Sequence, residues 1–214
     1  LLQIIHHRVK TNLQVVNSLL DMESEQFDRG DEPAQQRFKE SQNRVRAMAL
    51  VHEKLEKSQN AAAIDLPEYI RDVTNHLIQA FRTPDKDIRL RLELEPIELD
   101  VESAIPCGLI LNELVSNSLR HAFTDQTKGS ILVRLHKNGD SNLKLTVRDS
   151  GPGLSESIDP LEATTVGFKL IRGLLTQVDG DWAYKHRKGS EFLVSVPTER
   201  SGRDQGSKSW AEMR

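Results

Sequence analysis

Apolar side chains open the chain at positions 2, 5, 9, 16 and 19, and neither glycine nor proline interrupts residues 1–22. Steps of three, four and seven are the a/d period of a helix with one apolar seam, here from Leu1 to about Met22, with Asn12 in a seam position. Ser24 to Pro33 then gathers turn formers and charge and lets the chain reverse. Phe38, Ser41, Val45, Met48, His52 and Leu55 follow at alternating steps of three and four, which predicts a second helix from about Ala34 to Lys57. Two seamed helices joined by a short loop make an antiparallel hairpin. One hairpin has too little core to bury both seams, so the pattern predicts pairing with a second copy into a four-helix bundle.

Lys57 to Ala63 shows no periodicity, and beyond it the pattern changes to helices alternating with strands. Helices are predicted over Leu66 to Phe81, Ile105 to Ala122 and Gly167 to Val178, with Pro67 and Pro106 in first-turn positions where proline is tolerated. Period-two alternation marks strands over Ile88 to Leu94, Ile131 to Leu135, Leu143 to Val147, Trp182 to His186 and Phe192 to Val196. The Asn138-Gly139 pair predicts the turn of a hairpin between two of them. The fold class is therefore α+β: a helical hairpin over residues 1–60, a two-layer α/β sandwich over 64–198, and a polar, aperiodic tail over 199–214.

Composition narrows the classes of function. Lys and Arg total 29 against 32 Asp and Glu, a formal charge of -3, so there is no basic excess to predict a nucleic-acid or anionic-membrane partner. A single cysteine, Cys107, cannot form an internal disulfide, and no apolar run approaches the roughly 20 residues that span a bilayer. A cytoplasmic setting is expected. The opening Leu1 lacks an initiator Met, which reads as a stretch cut from a longer protein.

Four clusters carry possible chemistry. In the first helix, His6 and His7 precede Arg8; with Val9 and Val16 at a positions, His7 falls at f, opposite the seam, and His6 at e. A neutral exposed imidazole can act as a nucleophile, although a surface histidine needs no such role. His52, on the second seam, is most simply a packed, hydrogen-bonded residue. In the helix over 105–122, Glu113, Asn117 and His121 recur every four residues with Arg120 beside them, a polar stripe suited to a hydrated Mg²⁺ and phosphate oxygens or to plain solvent. Asp149, Gly151 and Gly153 end a strand in glycines, where a carboxylate can accept from an exocyclic amine while backbone approaches a ligand closely. Thr164, Thr165 and Gly167 open the last helix, whose N-terminus is a potential anion site or simply a capped end.

Taken in this order and at these separations, the clusters resemble the sensor histidine kinases, in which a dimerisation and phosphoacceptor hairpin precedes a GHKL (Bergerat) ATP-binding domain. The segments His6-His7-Arg8-Val9-Lys10 with Asn12-Leu13-Gln14, and Asn43-Arg-Val-Arg-Ala-Met-Ala-Leu-Val-His-Glu-Lys-Leu55, are similar to the type-2 hairpin group related to the HWE kinases. The resemblance implies that His7 accepts the γ-phosphoryl group of ATP. It further implies that Asn117 ligates Mg²⁺, that Glu113 holds or polarises its water, and that Arg120 and His121 contact phosphate or ribose. Asp149 would read the adenine amine, Gly151 and Gly153 would shape the pocket, and Thr165 and Gly167 would lie at the phosphates. The partners implied are a response-regulator receiver domain and a second copy of the chain.

Three positions depart from the family pattern. Arg8 stands where many histidine kinases carry an acidic neighbour of the phosphoacceptor, which leaves the general base unassigned. Thr11 replaces an Asn usual in the subgroup, and Thr165 replaces a Gly often found two residues before Gly167. Two other functions share the same residues: a degenerate, nucleotide-binding dimeric scaffold, and a GHKL ATPase in which Glu113 activates water.

Overall fold

The computed structural model describes residues 5, 9, 11–13, 16, 32–57, 63–139, 141–155 and 158–198. Of the first predicted helix, the described residues Ile5, Val9, Thr11, Asn12, Leu13 and Val16 are helical, and Ile5 and Val16 are exposed. His6, His7, Leu2 and Leu19 lie outside the described residues, as do most of the predicted connector and the tail.

Helix α1 (Glu32–Lys57) is the second helix of the predicted hairpin. The seam expected on it is only half buried at Phe38, Val45, Met48 and His52. Its fully buried stripe is a different one, Asn43, Ala47, Leu50 and Val51, again at helical spacing. This stripe packs on α2 (Leu66–Ala80) and α3 (Val101–Asn117), and Ala47, Leu50 and Val51 share one apolar core with Leu66, Tyr69, Ile70, Leu114 and the sheet beneath. The Tyr69 hydroxyl, fully buried, donates to the Ala47 carbonyl at 3.0 Å and ties α1 to α2. Burial pushes that phenol's pKa far up, so it remains a donor.

Between these helices, β1 (Ala63–Asp65) pairs antiparallel with β3 (Glu98–Asp100). Neither strand was expected, because three residues are too few for a period to show. Both end in helix caps. Asp65 accepts from the Glu68 amide at 2.8 Å to start α2, and Asp100 from the Ser103 amide at 2.9 Å to start α3. The second cap starts α3 four residues before the expected Ile105, so Pro106 sits inside the helix rather than in its first turn.

The main sheet runs in the order β2 (Asp87–Leu94), β4 (Lys128–Lys137), β5 (Asn142–Asp149), β7 (Ser190–Pro197) and β6 (Asp181–His186). β2 and β4 are parallel and the other pairs antiparallel. The β4–β5 turn closes with the Asn138 amide on the Asn142 carbonyl at 2.8 Å, and Gly139 takes φ +75°, as its sequence predicted. Helix α4 (Val166–Gln177) is fastened by an aromatic cluster. Phe168 lies 5.9 Å from Trp182 and 6.1 Å from Phe192, centroid to centroid, which fixes the N-terminus of α4 over the sheet. No helix among the described residues is long and apolar enough to cross a membrane.

Candidate functional site

A cavity of about 530 Å³ opens between the C-terminal end of α3, the end of β5 and the N-terminus of α4. The polar stripe predicted on one α-helical face is built differently from the expectation. After Asn117 the helix widens into a π turn over Ser118–Ala122, so Asn117 and His121 are no longer one α-turn apart. A single π turn inserts a residue into the helical ladder and re-aims the side chains around it. Asn117, Ser118, Arg120, His121 and Ala122 all reach the cavity wall as a result.

At one end of the cavity stands Asp149, the last residue of β5 and only 3% exposed. Its Oδ1 accepts from the Gly151 amide at 3.0 Å and the Ser190 amide at 3.1 Å, and its Oδ2 accepts from Ser118 Oγ at 3.0 Å. A buried carboxylate needs such donors in place of water. Those three bonds hold it while leaving lone-pair capacity on Oδ2 for a donor in the cavity. Ser118 and Ser190 were not singled out from the sequence. The nearest signal is position alone, one following Asn117 and the other following Gly189.

At the other end lie Glu113, Asn117 and Arg120. Glu113 is 2% exposed, not part of a solvated face. Arg44 of α1 grips it from outside, Nε donating to Oε1 at 2.7 Å and Nη2 to Oε2 at 2.8 Å, and Asn112 Nδ2 adds a bond to Oε1 at 3.2 Å. The bond to Glu113 raises the Arg44 pKa above its ordinary value against the effect of burial. Arg120 Nη2 donates to Asn117 Oδ1 at 2.9 Å, and its Nη1 pairs with Glu40 of α1. Glu40 and Arg44 carried no signal in the sequence reading. They sit on the face of α1 that the seam pattern did not mark.

Gly167 opens onto this end. A β-carbon there would come 3.0 Å from Glu113 Oε2 and 3.8 Å from Asn117 Nδ2, so its lack of a side chain keeps the space above both open. Thr165 is the N-cap residue of α4 by backbone geometry and lines the cavity, but its side chain makes no capping bond. His121 stays exposed at the rim; partial desolvation and the Arg120 charge hold its imidazole below the usual pKa, against the pull of Glu40.

The segment after Asp149 forms the cavity's outer wall. Gly153 lines it at φ +84°, a backbone conformation that favours glycine, with the exposed His186 ring beside it. Gly151 is not in the wall. It packs on Ala122, where a β-carbon would meet the backbone oxygen at 2.4 Å, and so shapes the pocket from behind. Further along, Arg172 of α4 donates to the carbonyls of Pro160, Leu161 and Ala163 at 3.4, 3.2 and 2.8 Å and pins the turn before Thr165.

The structure thus brings Glu113, Asn117, Arg120, His121, Asp149, Gly153, Thr165 and Gly167 to one cavity and sets Gly151 directly behind it. His7 and His6 lie outside the described residues. Asp149 at one end, with an amide, the paired charges of Arg120–Glu40 and Arg44–Glu113 and a helix N-terminus at the other, suits a ligand with a neutral donor-bearing head and an anionic tail that brings its own cation. No cluster of three or more His, Cys, Asp or Glu fit to hold a metal occurs among the described residues. Asn117 Oδ1, which accepts from Arg120 and keeps a second lone pair, is an oxygen of the kind a Mg²⁺ with water and phosphate ligands takes, whereas both Glu113 oxygens are engaged by Arg44 and Asn112.

Residues 5–81 match the family model described as histidine kinase, and residues 102–200 match the model of histidine kinase-, DNA gyrase B- and HSP90-like ATPases. The sensor histidine kinase PdtaS of Mycobacterium tuberculosis is 29% identical over 203 residues, covering 93% of this chain and 40% of that protein. Blue-light-activated histidine kinase 2 of Erythrobacter litoralis is 27% identical over 194 residues, covering 90% of this chain and 55% of that protein. The chain therefore spans about half the length of these curated relatives or less. Among solved structures, the histidine kinase domain of the Erythrobacter litoralis EL346 blue-light-activated histidine kinase shares the fold with a TM-score of 0.69 at 21% identity, covering 92% of each chain.

Proposed function

We propose that this chain, which belongs to the histidine kinases, is an ATP-dependent protein-histidine autokinase of a two-component system, with a type-2 hairpin joined to a GHKL ATPase domain. In this reading the γ-phosphoryl group of ATP passes to His7 and then to an aspartate of a response-regulator receiver domain, with the hairpin paired to that of a second copy.

The observation that carries the reading is the polarity of the cavity along its length. Asp149, held by three donors, keeps an acceptor for the adenine amine, while Asn117, Arg120 paired with Glu40, Glu113 paired with Arg44, and the N-terminus of α4 line the end that would take phosphates with their cation. Mg²⁺ bound with the nucleotide supplies neutralisation of phosphate charge, and Asn117 Oδ1 is the residue that would hold it. Phosphoryl transfer asks mainly for positioning and charge stabilisation, and Arg120 and the α4 amides supply the protein's share. In the transfer the bond from the γ-phosphorus to the ADP oxygen breaks, a bond from an imidazole nitrogen of His7 to phosphorus forms, and the imidazole proton passes to a base. The second transfer moves the phosphoryl group to a carboxylate oxygen and restores the imidazole.

Labelling with γ-labelled ATP tests this. The parent should acquire acid-labile, alkali-stable label, and His7→Gln should acquire none while binding ATP as the parent does. Label on His6 would overturn the residue assignment. Binding without label would favour a nucleotide-binding scaffold, and phosphate release that survives His7→Gln would favour a water-activating ATPase.

A further inference from the structure

The cavity's phosphate end is completed by a helix that belongs to the hairpin. Glu40 and Arg44 stand one turn apart on α1, 3.8 Å from each other, and between them engage Arg120 and Glu113 of the cavity wall. The four charges alternate in sign. None of the four side chains is more than 19% exposed, and that of Glu113 is 3% exposed. Asn43 Nδ2 of α1 and Asn112 Oδ1 and Ser116 Oγ of α3 are also buried, without hydrogen-bond partners among the described residues.

We propose that Arg44 is a positioning residue of the ATP site: from the second hairpin helix it holds the Glu113 carboxylate of its own chain in the orientation that faces Gly167 and Asn117. This rests on the kinase reading given above. A bidentate guanidinium fixes both oxygens of a carboxylate and hence the directions of its remaining lone pairs, which a lysine ammonium does not. Net stabilisation is the lesser effect, since a buried ion pair gains little once the desolvation of both charges is counted. The pair also makes the chemistry of Glu113 conditional on α1 being docked. The hairpin that presents the phosphoacceptor is then the element that orients the site it must meet.

The test compares the parent with Arg44→Gln, Arg44→Lys, Glu113→Gln and the Arg44→Gln/Glu113→Gln double variant, measuring initial rates of label incorporation across ATP concentrations, ATP affinity and far-ultraviolet circular dichroism. Arg44→Gln should lower the maximal rate by about tenfold with the apparent KM for ATP within about twofold of the parent, and Arg44→Lys should recover only part of the rate. In the Glu113→Gln background the Arg44 change should cost less than about twofold more, because residues acting as one unit are not additive. A merely structural role would move affinity, spectrum and rate together. An Arg44→Gln rate equal to or above that of the parent, or a full additive loss in the double variant, overturns the proposal. A parent that takes up no label overturns the kinase reading and this role with it, whereas a labelled parent with an indifferent Arg44→Gln overturns this role alone.

Discussion

Replacing Asp149 with Asn changes one atom of a buried group, and the surrounding bonds dictate how the amide must sit. Oδ1 of Asp149 receives two backbone donors, the Gly151 and Ser190 amides at 3.0 and 3.1 Å, so the asparagine must place its carbonyl oxygen there. Its NH₂ group then occupies the place of Oδ2, where Ser118 Oγ, now 3.0 Å away as a donor, can rotate its hydrogen and accept instead. The fold should survive, with unfolding free energy lowered by about 1 kcal/mol for two amide bonds that lose a charged acceptor. Ligand binding has no such escape. The remaining position presents an N–H to an incoming adenine amine, donor against donor. A charged hydrogen bond is worth about 1.5 to 3 kcal/mol, so ATP affinity should fall by about tenfold to a hundredfold. GTP, with a carbonyl at the matching ring position, should bind the parent poorly and lose little in the variant. Isothermal titration with both nucleotides, alongside urea unfolding, reads all three quantities. Equal ATP affinity in parent and variant, or equal affinity of the parent for ATP and GTP, would refute the role assigned to Asp149.

Other consequences follow from packing and charge. Gly108→Ala would place a methyl group 1.8 Å from Tyr69 Oη and 2.4 Å from its ring carbons, at the joint of α1, α2 and α3. It should destabilise by about 1 to 3 kcal/mol or more, and an unchanged urea midpoint would contradict the packing described. His76 is half-buried on α2, and desolvation together with the Arg46 charge lowers its pKa. The unfolded chain therefore takes up this proton first, and stability should be lost as pH falls through about 6.5. Urea midpoints at pH 7.5 and 5.5 should differ less in His76→Gln than in the parent, and an identical loss in both would show that the imidazole does not contribute.

Much of the site was legible in the sequence because each part is local. Asp149 ends an alternating strand and leads into glycines, Asn117 and Arg120 sit near the end of an apolar-faced helix, and Gly167 opens another. Strand and helix periods place such residues without knowledge of their neighbours. The hairpin turn at Asn138-Gly139 was legible for the same reason, since φ +75° at Gly139 is a property of the turn itself. What stayed hidden depends on partners distant along the chain. Glu113 lies 69 residues from Arg44, and Arg120 lies 80 from Glu40, separations at which no periodicity links one charge to another. Ser118 reaches Asp149 because a π turn re-aims it, and no sequence pattern marks where a helix admits an extra residue. Helix α1 shows the division most plainly. Its period determined that it is a helix with an apolar seam, but it carries a second stripe, Asn43, Ala47, Leu50 and Val51, and only the closeness of α2 and α3 decides that this one is buried. Local periodicity fixes which faces of an element are able to pack. Which face does pack is settled by the competition among all surfaces of the chain for burial, and that competition exists only in three dimensions.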